Sequence, residues 1–122
     1  MKRFIMCRFA YFAVGVVLLV WGSFAMGSTL YVDVGGGSAY TSIQAAIDAA
    51  ADSGDEIEVA PGTYYENINF QGKAVIVRSQ DVATTIIDGG GLGSVVTFNS
   101  GENSFSVLDG FTITNGDGTG GN

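Results

Sequence analysis

Apolar side chains at Ile43, Ala46, Ile47 and Ala50 recur at helical spacing, while Gln44, Asp48 and Asp52 fall on other faces. The spacing predicts a short amphipathic helix with one narrow apolar side. Thr41 stands as its N-cap with Gln44 three positions on, a reciprocal capping box, and Gly54 supplies the left-handed residue that ends it. Straight after, Glu56-Ile57-Glu58-Val59 alternates polar and apolar, the pattern of a strand with one buried face. Pro61 closes that strand, because it has no amide to give to a ladder, and Ala60 to Tyr64 forms a turn.

On either side the period is two. Leu30, Val32 and Val34 alternate with Tyr31 and Asp33, which predicts a first strand before the Gly35-Gly36-Gly37 loop. Beyond Pro61 come short runs rich in Val, Ile, Phe and Thr: 67–70, 74–78, 85–87, 95–98, 105–108 and 111–114. Glycine, Asn, Asp or Ser punctuates every gap. The two-residue hairpin turns expected between antiparallel neighbours are missing. Thr85-Ile86-Ile87-Asp88-Gly89 returns 21 residues later as Ser106-Val107-Leu108-Asp109-Gly110, a spacing close to one solenoid coil. A solenoid in which each rung pairs in parallel with the next is therefore preferred to an antiparallel sandwich.

Composition sharpens this picture at the N-terminus. Lys2, Arg3 and Arg8 precede an apolar run from Phe9 to Ala25, and the small residues Ala25 and Gly27 flank Met26. This is the arrangement of a signal peptide over residues 1–27, cleaved after Gly27, and it implies export to the periplasm, the cell surface or the medium. A transmembrane anchor is the competing reading, and a membrane is a partner only through an uncleaved leader. Cleavage leaves Lys73 and Arg78 as the two basic residues against twelve acidic ones, a net charge of −10. Nucleic-acid binding is thereby excluded, since it needs clustered Lys and Arg, and an acidic polysaccharide would need a bridging cation. Cys7 lies in the leader, so the mature chain has no disulfide. The absence of histidine excludes Ser-His and Cys-His catalysis within the chain.

The stretch Tyr40-Thr41-Ser42-Ile43-Gln44-Ala45-Ala46-Ile47-Asp48-Ala49-Ala50, then Ile57-Glu58-Val59, then Pro61-Gly62-Thr63-Tyr64-Tyr65-Glu66, then Thr85-Ile86-Ile87-Asp88-Gly89 resembles the opening of right-handed parallel β-helix proteins of the pectin-lyase-like group. Pectin methylesterases share it, including the Gly-x-Tyr-x-Glu pattern met by Gly62, Tyr64 and Glu66. The resemblance runs from Leu30 to about Asn115 and implies an all-β fold: a truncated right-handed parallel β-helix with an N-terminal amphipathic capping helix. Residues 28–115 are then its N-terminal rungs, and the glycine-rich tail 116–122 leads toward rungs further downstream. No counterpart of the methylesterase catalytic aspartates, glutamines and arginine follows, so the chain reads as the front end of a longer reading frame.

Few residues suggest chemistry. If the 21-residue repeat places Asp88 and Asp109 in register, their carboxylates stack about 5 Å apart and calcium is the cation that would relieve them. Calcium is also what pectate-lyase-like relatives use to hold uronates. The plainer reading is that Asp-Gly recurs because a turn recurs. Tyr64, Tyr65 and Glu66 are structural in the resembled family, with a sugar-stacking surface as their alternative role. Glu56 and Glu58 fall on the solvent face of one strand, Lys73 and Arg78 leave theirs on opposite faces, and Asn115-Gly116-Asp117-Gly118 reads as a linker rather than a calcium loop.

The functional expectation is an exported β-helix segment of a secreted or cell-surface protein that contacts polysaccharide and is not catalytic as it stands. Its alternatives are the N-terminal section of a polysaccharide lyase or pectin esterase with its active site downstream, and a surface adhesin or passenger repeat domain.

Overall fold

The computed structural model describes residues 27–52 and 54–118. Residues 1–26 of the signal peptide expected over 1–27, and residues 119–122 of the tail, lie outside the described residues. Among those described, no helix is long and apolar enough to cross a membrane.

The described residues form mostly short strands with one seven-residue helix: β1 (Thr29–Val32), α1 (Ile43–Ala49), β2 (Glu56–Val59), β3 (Gly62–Tyr65), β4 (Ile68–Asn69), β5 (Ile76–Ser79), β6 (Thr85–Asp88), β7 (Val96–Thr97), β8 (Val107–Asp109) and β9 (Thr112–Thr114). These pair as three sheets ordered β1-β2-β5-β8, β3-β6-β9 and β4-β7. Every ladder is parallel, which disposes of the antiparallel sandwich. From β2 onward the chain visits the three sheets in the same cyclic order, giving circuits β2-β3-β4, β5-β6-β7 and β8-β9. The predicted strands thus occur: β2 has the predicted bounds, and the others are shifted at one or both ends. The stretch read as a turn before Tyr65 is itself strand β3, because Tyr64 points inward and Tyr65 outward in the alternation of a strand.

Stacking the circuits aligns like side chains. Leu30, Ile57, Val77 and Leu108 form one inward row across the first sheet; the two central members are fully buried and the two at the edges only partly. Tyr64, Ile87 and Ile113 form a second row, and Phe70 stacks on Phe98 with ring centroids 4.3 Å apart. Each fully buried aliphatic side chain contributes about 1.5–3 kcal/mol relative to exposure. Helix α1 lies over β1, β2 and β4, burying Ile43, Ala46 and Ile47.

Both predicted caps of α1 are displaced. Ser42, not Thr41, is the N-cap, and its hydroxyl oxygen accepts from the Ala45 amide. Gln44 is not the second half of a capping box: its amide group reaches β4, accepting from the Asn69 amide at 2.7 Å and donating to the Asn69 carbonyl at 3.1 Å. The carboxylate of Glu66 takes the capping role instead, accepting from the amides of Ile43 (2.8 Å) and Gln44 (2.9 Å) and from the Ser42 hydroxyl (3.1 Å). At the other end Ala50 leaves the helix in an extended conformation, four residues before Gly54, whose φ of +86° serves the turn into β2. The orphan carbonyls there are met by Lys73, whose ammonium donates to the oxygens of Ile47, Asp48 and Ala50 at 2.8–3.0 Å. Buried Asp55 ties the helix exit to β1, accepting from the amides of Ala51 and Ser28.

Candidate functional site

One consequence of the parallel stack is an outward row on the β3-β6-β9 sheet, in which Tyr65 stands beside Asp88 and Asp88 beside Thr114. The row borders an open cleft of about 480 Å³ lined by Tyr65, Asp88, Gly90, Gly91, Asn115 and Gly116. Unequal linkers raise its wall. Two residues separate β3 from β4, whereas seven, Gly89 to Val95, separate β6 from β7. The additional residues form a lip docked on the strand exit below it: the Gly89 amide donates to the Thr114 carbonyl, Gly91 to Asn115 at 2.7 Å, and Asp117 to Gly93 at 2.9 Å. Gly90 and Gly91 are both left-handed, with φ of +65° and +73°, a pairing that side chains disfavour. At Gly89 a Cβ would come within 2.7 Å of Val95 Cγ2 and 3.0 Å of the Asn115 carbonyl oxygen, so only glycine fits between lip and sheet.

Inside the cleft the Asp88 carboxylate accepts from the Gly90 amide and from the Asn115 side-chain amide, both at 2.9 Å. A carboxylate has about four acceptor sites, so it keeps capacity for a ligand. Tyr65 presents its ring to solvent, 76% exposed. The lining residues carry no cation and no second carboxylate. That set can stack on and hydrogen-bond a ligand; it holds no acid/base pair.

The other candidates occupy other places. Asp109 lies in the β1-β2-β5-β8 sheet, opposite Arg78, whose Nε donates to it at 3.3 Å, while Asp88 lies in the β3-β6-β9 sheet. The two aspartates are not in register, so the stacked pair on which the calcium reading rested is absent. Among the described residues no group of three or more His, Cys, Asp or Glu is placed to hold a metal ion. Glu56 and Glu58 do face outward on β2; Glu56 pairs with Arg78, and Glu58 accepts from Gln80. Arg78 therefore bridges Glu56 and Asp109 across the adjacent strands β2, β5 and β8, whereas Lys73 bonds the carbonyls at the helix end.

Of the three turn residues, two are structural. Tyr64 is buried, its hydroxyl donating to the Ala60 carbonyl and accepting from the Val34 amide. Burial raises its pKa, against the Val34 hydrogen bond and with help from the nearby charges of Asp33 and Glu66. Glu66 caps α1, which leaves Tyr65 as the exposed member. The tail expected to be a linker is bound to the lip as far as Asp117. The lip itself was not foreseen; its signal was the cluster Gly89-Gly90-Gly91 with Gly93, denser than a simple gap requires.

No protein-family model, curated protein or solved structure matches this chain.

Proposed function

We propose that the chain is an exported, non-catalytic segment of a right-handed parallel β-helix that contacts carbohydrate through the Tyr65–Asp88 cleft. The observation that carries this reading is the exposed Tyr65 ring beside an inserted glycine lip, on a face made rigid by parallel ladders. A flat aromatic ring offers apolar area to the C–H face of a sugar while its hydroxyl stays wet. Loops inserted into stacked repeats collect on one face, which is commonly the binding face. The basic start, apolar run and Ala25-Met26-Gly27 site support export, with Ser28 as the expected first residue of the secreted form by mass spectrometry.

The test is co-sedimentation of the protein with a panel of insoluble polysaccharides. Retention by at least one of them, lost in Tyr65→Ala and kept in Tyr65→Phe, is the expected result. Retention unaffected by Tyr65→Ala would refute the cleft as the contact. Pectin or polygalacturonate incubated with the protein and calcium should release neither methanol nor unsaturated uronide; robust turnover would refute the non-catalytic reading.

The enzyme reading, in which these circuits open a polysaccharide lyase or pectin esterase, draws on a separate observation. Among the described residues β8 and β9 pair on one side only, and Ile113 at the end of its inward row is 44% exposed. Further rungs would cover that edge. Downstream coding sequence with aspartate clusters beside Arg or Lys on successive rungs would favour this reading over the first.

A further inference from the structure

We infer that the Tyr65–Asp88 cleft selects an amine-bearing glycan, a sugar chain with free ammonium groups, over a uronate polymer. The inference rests on the carbohydrate-contacting reading and adds the charge of the ligand. Asp88 is the one charged side chain among the lining residues. Neither cation of residues 28–122 is available to offset it: Lys73 is held by three carbonyls at the end of α1, and Arg78 lies between Glu56 and Asp109 in another sheet.

A uronate carboxylate entering this cleft would meet a like charge and no cationic partner, in a protein whose net charge over residues 28–122 is −10. An ammonium group meets the opposite conditions. It can donate to the acceptor sites of Asp88 that Gly90 and Asn115 leave open, as a charge-assisted hydrogen bond. The exposed face of Tyr65, paired in register with Asp88, adds a cation–π contact to the same group or stacks on the neighbouring sugar. A neutral glycan retains the stacking and loses the charge term, so it ranks between the two.

Isothermal titration of the chain with a glucosamine hexamer, cellohexaose and hexagalacturonate tests this, at a pH well below the ordinary range of an amino group. The glucosamine hexamer should bind about tenfold tighter than cellohexaose, the increment of one such charged contact, and hexagalacturonate should not bind. Asp88→Asn should remove the preference, so that the glucosamine hexamer and cellohexaose bind the variant equally, and Tyr65→Ala should weaken both. A preference that survives Asp88→Asn in a folded variant would reflect overall charge and overturn the proposal, as would binding of hexagalacturonate. If Asp88→Asn melts early, the hexagalacturonate arm and Tyr65→Ala decide. Equal binding of the amino and neutral hexamers, lost in Tyr65→Ala, would overturn the charge selection and leave the carbohydrate reading standing. No binding of any hexamer would overturn both.

Discussion

Glu66 is the residue whose loss should be felt furthest from its own position. Its carboxylate accepts from two amides of the first turn of α1 and from the N-cap hydroxyl, across 22 to 24 residues of chain. A hydrogen bond to a charged group contributes about 1.5–3 kcal/mol net, and Glu66 is only half-buried, so the low end applies and the three contacts do not add independently. Glu66→Ala also leaves the Ile43 and Gln44 amides without that partner, beneath a helix whose Ile43 and Ile47 are fully buried. The expected cost is about 3 kcal/mol, a large share of the roughly 5–15 kcal/mol that holds a domain together. Glu66→Gln keeps one acceptor oxygen and should cost about half as much.

Urea unfolding followed by circular dichroism measures this directly. The midpoint should fall in the order parent, Glu66→Gln, Glu66→Ala, with an unchanged slope, since the same surface is exposed in each case. Glu66→Ala within about 0.5 kcal/mol of the parent, the range of an ordinary surface change, would show that the helix is held by packing alone and that the carboxylate is incidental.

Ile47→Asp buries an unpaired charge under α1, where Ile47 has no exposed surface; it should cost at least about 3 kcal/mol and leave little folded protein, and a variant as stable in urea as the parent would remove the helix from the core. Glu102 accepts from the amides of Gly72 at 2.7 Å and Ser100 at 2.8 Å. Desolvation draws its pKa upward, but the Ser100, Gly72 and Glu102 amides outweigh it and hold the group below the ordinary 4.5. A carboxylate with a lowered folded-state pKa stabilises above its unfolded value and loses that contribution as pH falls through the folded one. Glu102→Gln should therefore flatten the stability profile below about pH 4.5, and an unchanged acid limb would show that Glu102 titrates alike in the folded and unfolded chain and that the contact adds nothing to stability.

What could be read from the sequence was what local chemistry dictates. The period of Ile43, Ala46 and Ile47 predicted the helix, and the alternation of Glu56 to Val59 predicted β2; both formed because each apolar face had a core to enter. The helix caps were misread for the complementary reason. Thr41 and Gln44 satisfy a local rule, but Glu66 and Lys73 come from the following loops of the first circuit and meet the same orphan groups with full charges. A signal 22 or more residues away is invisible to a pattern defined on four. Tyr65 was singled out only as part of a turn, because its exposure follows from Tyr64 being claimed by the Ala60 carbonyl and the Val34 amide.

The repeat misled for a deeper reason, and the same reason produces the cleft. A solenoid reading from the sequence assumes circuits of equal length, so two copies of an Asp-Gly run 21 residues apart were placed one above the other. The circuits are unequal: Glu56 pairs with Ile76 and Ile76 with Val107, steps of 20 and 31 residues. Strand register is set by which side chains must face inward, and linker length is free to vary where the chain crosses solvent. Val77 and Leu108 had to continue the row begun by Leu30 and Ile57, so the longer second circuit expelled its surplus as the Gly89–Ser94 lip and the loop before β8. That displacement carried Asp109 into one sheet and left Asp88 in another, separating the supposed metal pair. It also set Asp88 at the foot of a glycine wall beside Tyr65. The feature that spoiled the predicted site is thus the one that built the cleft.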